Sequence, residues 1–319
     1  MEDYPKTIEE FEARFSSEET CREYLFQLRW PEGFRCPRCG CRESSPVRTV
    51  LLRCGKCRHQ TSVIAGTIFQ DTRTPLRLWF QAMWWVTTQK NGASALGLQR
   101  VLGLKQYQTA WTWLHKLRRA MVRPGRDLLS GRVEVDETYL GGLEVGLRGR
   151  KTETKALIIV AAEEDGTGIG RMRMRLIADA SAKRLHAFVQ ESIAAGSIVH
   201  TDGWVGYSGL AAKGYVHDVT ILKGQKESPS VLLPRVHRVI SLLKRWLMGT
   251  HQGAVSHKHL DYYLDEFTFR FNRRKSASRG KLFFRLAQQA VAVEPAPYDA
   301  IVQQKRRQSE RPKLQVVAR

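Results

Sequence analysis

Two short knuckles, Cys36-Pro-Arg-Cys39 and Cys54-Gly-Lys-Cys57, stand 14 residues apart and constrain this chain more than any other feature. Each C-x2-C turn gathers two thiolates, and two such turns supply the four soft ligands that tetrahedral zinc prefers. Gly40 and Gly55 suit tight turns in which backbone N–H groups face the sulfurs. Cys41 and His59 lie close enough to compete, but the paired spacing favours Cys36, Cys39, Cys54 and Cys57. Four protein thiolates leave no open position, so the expected Zn2+ is structural. Cys21 falls on an expected helix and reads as core packing.

Charge narrows the class of partner. Lys and Arg total 52 against 31 acidic residues, a formal net charge of +21. Such an excess points to a polyanion, with nucleic acid first. Arg35, Arg38, Arg53, Lys56 and Arg58 surround the knuckles, so the ribbon is expected to touch phosphates, Arg38, Lys56 and Arg58 foremost. A protein-interaction ribbon is the alternative. The N-terminus is acidic and amphipathic, unlike a secretory leader, and no apolar run reaches membrane-spanning length. The expectation is a cytoplasmic, nucleoid-associated protein with no membrane partner. At 319 residues the chain can bury a core without disulfide staples and should hold two or three folded units.

Residues 1–30 read as one or two helices and residues 75–125 as three. In the second and third of those three, Ser94 to Leu104 and Lys105 to Arg119 form a helix-turn-helix pattern with Gly103 at the turn. Gln106, Gln108, Thr109 and Thr112 lie near the start of the second helix of the pair, where a recognition helix reads base edges. Trp111, Leu114 and Leu117 are expected in the core, and Arg118 and Arg119 on phosphates. A plain helical hairpin is the competing reading.

From residue 131 the pattern changes to strands. Arg132 to Thr138 alternates, with Val133 and Val135 on one side and Glu134 and Asp136 on the other. Ala156 to Ala162 is a buried-strand run, and Arg171 to Ala178 alternates with an arginine-bearing exposed face. A helix over Ala182–Ala195 and a strand over Ser197–Thr201 follow, so a mixed α/β sheet is expected. Asp202 ends that last strand, beside Gly203. Two aspartates at the ends of neighbouring strands can share Mg2+ or Mn2+, since hard cations take carboxylate oxygens. Residues 222–234 read as a loop, and helices resume at Arg235–Met248 and Ser256–Arg273, with Gly249 ending the first. A basic, flexible tail is expected from about Gln303.

Several long motifs resemble one family in order and content. They are Val135-Asp-Glu-Thr-Tyr-Leu-Gly-Gly, His200-Thr-Asp-Gly-Trp-Val-Gly-Tyr, the stretch from His237 to Gly253, and Tyr263 to Arg274. Together they resemble the DDE-type insertion-sequence transposases with an N-terminal zinc ribbon. The resemblance runs from about residue 10 to 290. It implies an α/β ribonuclease H-like catalytic domain (a mixed sheet flanked by helices) preceded by the zinc ribbon and the helix-turn-helix-like module. It also implies magnesium dependence, action on the terminal inverted repeats of an element and on target DNA, and a homo-oligomer on paired ends. Such enzymes commonly carry Glu as the third acid, with Lys or Arg seven residues on. Here the matching position is His237, with Lys244 at i+7. On a helix these two share a face, opposite Val236, Val239, Ile240, Leu243 and Leu247. Rival carboxylates are Glu227, whose i+7 neighbour is Pro234, and Glu266, followed by Arg273. An imidazole suits manganese better than magnesium. Lys244 and Arg273 are further expected DNA contacts, Arg270, Asn272 and Arg274 a basic helix end, and Trp204 either packing or a base-stacking ring.

The organisation implied is residues 1–70 as N-terminal helices plus ribbon, 71–128 as the helix-turn-helix-like module, 129–290 as the catalytic domain and 291–319 as tail. The activity implied is metal-dependent strand cleavage and strand transfer by Asp136, Asp202, His237 and Lys244. A catalytically inactive, repurposed transposase that only binds specific DNA is the alternative.

Overall fold

The computed structural model describes residues 3–122, 125–141, 155–221 and 228–303. The basic tail beyond Gln303 and the rival carboxylate Glu227 lie outside the described residues. The chain divides into two compact units. One holds residues up to 122 together with 275–303, and the other holds residues 125–274.

The first unit opens with helices α1 (Ile8–Arg14) and α2 (Glu18–Arg29). Thr7 caps the first, and Ser17 with Thr20 forms a reciprocal cap on the second, satisfying N–H groups that a helix start cannot pair internally. The ribbon follows as three short antiparallel strands in the order β1 (Ser44–Val47), β2 (Leu51–Cys54), β3 (Gln60–Thr61). Helices α3 (Leu76–Thr88), α4 (Ala95–Leu102) and α5 (Tyr107–Ala120) complete the run. Both carboxylate oxygens of Glu18 reach across to α3, accepting the N–H groups of Leu76 and Arg77 at 2.9 Å each. Ser94 caps α4, and Gly103 ends it in the left-handed region at φ 62°, where a Cβ would be strained. Thus the turn expected at Gly103 has its physical basis in that residue's φ. Rings fill the core: Phe11 stacks on Trp84 at 4.8 Å and Trp79 on Trp113 at 4.0 Å between centroids.

The second unit is built on a five-stranded sheet. Its strands are β4 (Arg132–Leu140), β5 (Ala156–Asp165), β6 (Gly168–Ile177), β7 (Ile198–Asp202) and β8 (Val216–Thr220), with helix α6 (Ala182–Ser192) between β6 and β7. The spatial order is β6-β5-β4-β7-β8, with β4, β5 and β6 antiparallel neighbours and β4, β7 and β8 parallel ones. Helices α7 (Pro229–Leu232), α8 (Pro234–His251) and α9 (Leu260–Asn272) follow. Strand alternation splits the side chains into two layers. Val133, Val135, Ile159 and Ala161 join Leu185, Phe188 and Val189 of α6 in one core. Ile158, Val160, Ala162 and Met172 join Val236, Val239, Ile240 and Leu243 of α8 and Leu264 and Phe267 of α9 in the other. This mixed sheet between helices is the ribonuclease H-like fold expected above.

Beyond residue 274 the chain returns to the first unit through α10 (Arg279–Ala290) and α11 (Tyr298–Val302). The compact second unit therefore ends at Arg274 rather than at 290. Phe283 explains the return, its ring lying 5.5 Å from Phe11, 5.6 Å from Phe15 and 5.7 Å from Phe80. The same shared core makes residues 1–70 and 71–122 one compact unit rather than two. Helix α8 also departs from expectation: it runs through Gly249 to His251 and stops where Gln252 turns left-handed at φ 50°.

The expected arginine-bearing exposed face of β6 is only partly so. Arg173 is buried and donates to the carbonyls of Asp127 and Met172. The edge of β6 is covered by the residues after α9's apolar face. The Asn272 amide accepts the Met172 N–H at 2.8 Å and donates to its carbonyl at 3.0 Å, as a neighbouring strand would. Arg274 donates to the carbonyls of Ile169 and Gly170. An edge strand with open N–H and C=O groups invites pairing with another chain, and these side chains occupy it. Asn272→Ala is expected to lower unfolding stability by about 1–3 kcal/mol, because it strips both hydrogen bonds from a part-buried backbone. A urea titration followed by circular dichroism would read this as a lower midpoint.

Candidate functional site

In the ribbon, local backbone geometry gathers the cysteines. Gly40, at φ 73°, returns its N–H to the Cys36 carbonyl, and Arg58 adopts φ 58° while its N–H meets the Cys54 carbonyl. Ligand atoms of Cys36, Cys39, Cys54 and Cys57 all lie within 4.8 Å of one another. The Cys36–Cys57 sulfurs are 3.6 Å apart and the Cys39–Cys54 sulfurs 3.5 Å. A tetrahedron with Zn–S bonds of about 2.3 Å needs sulfur separations of about 3.8 Å, so the donor set fits zinc. The Cys57 and Lys56 backbone N–H groups lower the Cys54 thiol to about 6, which favours a thiolate at neutral pH. Cys41 points instead toward the Glu43 carbonyl, and among the described residues neither it nor His59 joins the cluster. Cys21 is wholly buried, and burial pushes its thiol up to about 12, as a packing residue should be.

In the second unit the register of two parallel strands sets the acidic centre. Val133 pairs with Val199 and Glu134 with His200. The pairing ends there, and Asp136 and Asp202 each stand two residues further along their strands, on the side of the sheet that alternation gives Glu134 and His200. One oxygen of each carboxylate is held by backbone: Asp136 Oδ1 accepts the Glu137 N–H at 2.8 Å and Asp202 Oδ1 the Trp204 N–H at 3.1 Å. Beneath them lies Tyr207, fully buried. Burial, and then the negative charges of Glu137, Asp136 and Asp202, raise its hydroxyl well above the ordinary tyrosine range. Gly206 makes this packing possible: a Cβ there would come within 2.7 Å of the Ala180 carbonyl oxygen and 2.6 Å of the Trp204 indole nitrogen. Trp204 itself donates from Nε1 to the Ala180 carbonyl at 3.0 Å and packs against the α6 core, the packing role of the two expected for it.

Helix α8 brings the third residue. Val236, Val239, Ile240, Leu243 and Leu247 are buried, while Lys244 is exposed. His237 is 26% exposed, and its Nε2 stands 3.7 Å from Asp136 Oδ2, itself 13% exposed. That nitrogen is buried and makes no hydrogen bond among the described residues. Burial and the nearby Lys244 charge outweigh the pull of Glu134 and Asp202 and lower the His237 pKa, keeping the imidazole neutral and able to offer a lone pair. Among the described residues only the four cysteines bring three or more ligand atoms within 4.8 Å of one another, so the two aspartates and His237 are more widely set. The rival Glu266 is buried against Arg270 at 2.9 Å, on the helix that packs on β6. Two strands, β5 and β4, separate β6 from β7 and Asp202.

Residues 16–60 match the transposase zinc-ribbon domain, and residues 128–272 match the ISXO2-like transposase domain. The ribbon and the sheet unit are thus each similar to a transposase domain. An uncharacterized protein in transposable element ISH50 of Halobacterium salinarum is 27% identical over 279 residues, spanning 80% of this chain and 91% of its own length. Among solved structures, a chain of the Mos1 strand transfer complex aligns at TM-score 0.26 and 13% identity, over 70% of this chain and 77% of its own. A chain of the Mos1 paired-end complex with left transposon end aligns at TM-score 0.25 and 13% identity, over 66% and 78%.

The expected DNA contacts divide by exposure. Arg38, Lys56 and Arg58 are exposed on the ribbon, and Gln106 and Gln108 at the start of α5, with Thr109 half-buried beside them. Arg118 does not belong with them. It is 1% exposed, because α5 turns it into the core beside Leu114 and Leu117, so it cannot meet a phosphate there. Arg273 is half-buried, its guanidinium 4.2 Å above the Phe269 ring and donating to that residue's carbonyl. Sequence reasoning gave no role to Glu134, Tyr207 or Arg235. The alternation that put Glu134 on the Asp136 side was the available signal, but its partner lies 101 residues away. Cys54→Ser is expected to cut bound zinc, measured by plasma mass spectrometry, from about one ion per chain to little, with loss of ribbon structure.

Proposed function

We propose that this transposase binds the terminal inverted repeats of its element and catalyses metal-dependent strand cleavage and strand transfer. The observation that carries the reading is His237 Nε2 at 3.7 Å from Asp136 Oδ2, on a strand that pairs in parallel with the strand ending at Asp202. The family supports DNA as substrate, and the net charge of +21 supports a polyanionic partner. The donor set fits Mg2+ or Mn2+: two carboxylates and a neutral imidazole whose buried nitrogen has no hydrogen bond to give up. Divalent ions at such a site activate the attacking water or 3′-hydroxyl and stabilise the leaving oxygen.

The chain's own residues would do the rest. Asp136 and Asp202, each steadied by a backbone N–H, present oxygens in fixed directions. His237 offers nitrogen from α8. Lys244 lies two helical turns along from His237 on an exposed face, where its ammonium can neutralise the DNA backbone beside the reacting phosphate. The exposed basic residues of the ribbon and the start of α5 would hold the element's end. No covalent intermediate is required, since the nucleophile attacks the phosphodiester directly. Organisation as a homo-oligomer on paired ends belongs to the same reading.

Strand joining on a DNA fragment carrying the element's ends tests it. Asp136→Ala and His237→Ala are expected to abolish joining while specific end binding persists. His237→Glu is expected to raise activity in Mg2+ relative to Mn2+, because a carboxylate is the harder ligand. Absence of cleavage by the wild-type chain in either metal, with end binding intact, would replace the proposal by a purely DNA-binding role.

A further inference from the structure

Helix α8 has no cap of its own. Leu233 precedes it and offers no side-chain acceptor, and Pro234 at its first position has no N–H. The next two N–H groups would be orphaned at the buried start of the helix. They are met by Glu134 of β4: Oε2 accepts from Arg235 N at 2.7 Å and from Val236 N at 2.9 Å. The other oxygen accepts from the Arg235 guanidinium at 3.1 Å. Glu134 is 2% exposed. With both oxygens engaged by three donors, it is not available to bind a metal.

The position of this clamp matters more than its strength. Glu134 and Asp136 are two residues apart on one face of β4, about 7 Å along the strand. Arg235 and His237 are two residues apart at the start of α8. Fixing Arg235 and Val236 to Glu134 therefore sets the height and rotation at which His237 comes over Asp136. Arg235 carries the constraint further, donating to Glu164 at 2.6 Å and to the carbonyls of Gly166 and Gly168 in the β5–β6 turn. We infer that Glu134 is a positioning residue, holding His237 and Asp136 at the separation from which both can bind a divalent cation. The inference rests on the metal-site reading given under Proposed function.

The test is Mn2+ binding by the zinc-loaded full chain, followed by the electron paramagnetic resonance signal of free Mn2+. Glu134→Gln is expected to weaken Mn2+ about tenfold or more, and to slow Mn2+-dependent cleavage in step, with end binding unchanged. Glu18→Gln is the matched control. It removes the equivalent carboxylate cap from α3 and is expected to leave Mn2+ affinity at the wild-type value. If circular dichroism shows Glu134→Gln unfolded, Glu134→Asp takes its place, keeping the charge but shortening the reach, and the same weakening is expected. A folded Glu134 variant with wild-type Mn2+ affinity, where His237→Ala loses it, would overturn the positioning role alone. Wild-type Mn2+ affinity in both His237→Ala and Asp136→Ala would overturn the metal site and the positioning role with it.

Discussion

A single buried carboxylate joins the sheet to the helix that faces it. Glu134 meets the open start of α8 from a strand far away in sequence, and its negative charge stands at the positive end of that helix. Leu233 and Pro234, the residues at the start of the helix, carry no acceptor side chain that could do this. The apolar stripe of α8, buried against the sheet, already limits how the helix can turn, and the Glu134 link adds a fixed point at its start. With it, one rotation is selected, and His237 comes to lie beside Asp136.

The sheet contributes the other half of the arrangement. Because β4, β7 and β8 are parallel neighbours, the middle of β4, which holds Asp136, lies toward the end of β7, which holds Asp202. Asp136 and Asp202 therefore need no loop to bring them close. Side chains on the opposite face, with Tyr207 and the α6 core, fill the space beneath, so the acids rest on a packed floor. That packing explains the small residue at Gly206, which a tryptophan ring and a carbonyl oxygen closely approach.

Much of this was legible in the sequence, and the reasons are local. The cysteine spacing, the alternation in Arg132–Thr138 and the apolar face of α8 are periodic signals that read directly as a ribbon, a strand and an amphipathic helix. His237 and Lys244 share a face for the same reason. What could not be read was long-range. Arg118 looks like a phosphate contact by composition, yet helix rotation puts it in the core. Asn272 and Arg274 look like a basic helix end, yet they complete the edge of a strand about 100 residues earlier. Alternation placed Glu134 on the side of Asp136, but its role depends on a helix start that carries no signal of the contact. Gly249 appeared to end α8, but a glycine costs a helix only about 1 kcal/mol relative to alanine, and the helix continues past it.

The return of α10 to the first unit has a consequence for how the protein is made. Phe283 is part of the aromatic core that also contains Phe11, Phe15 and Phe80, so that core stays incomplete until α10 has left the ribosome. The sheet and its helices, residues 125–274, are contiguous and can close on themselves during synthesis. The ribbon and its helices, although translated first, would finish last. A nascent chain stopped between Arg274 and α10 would then carry a complete sheet unit beside a ribbon unit whose aromatic core still lacks Phe283.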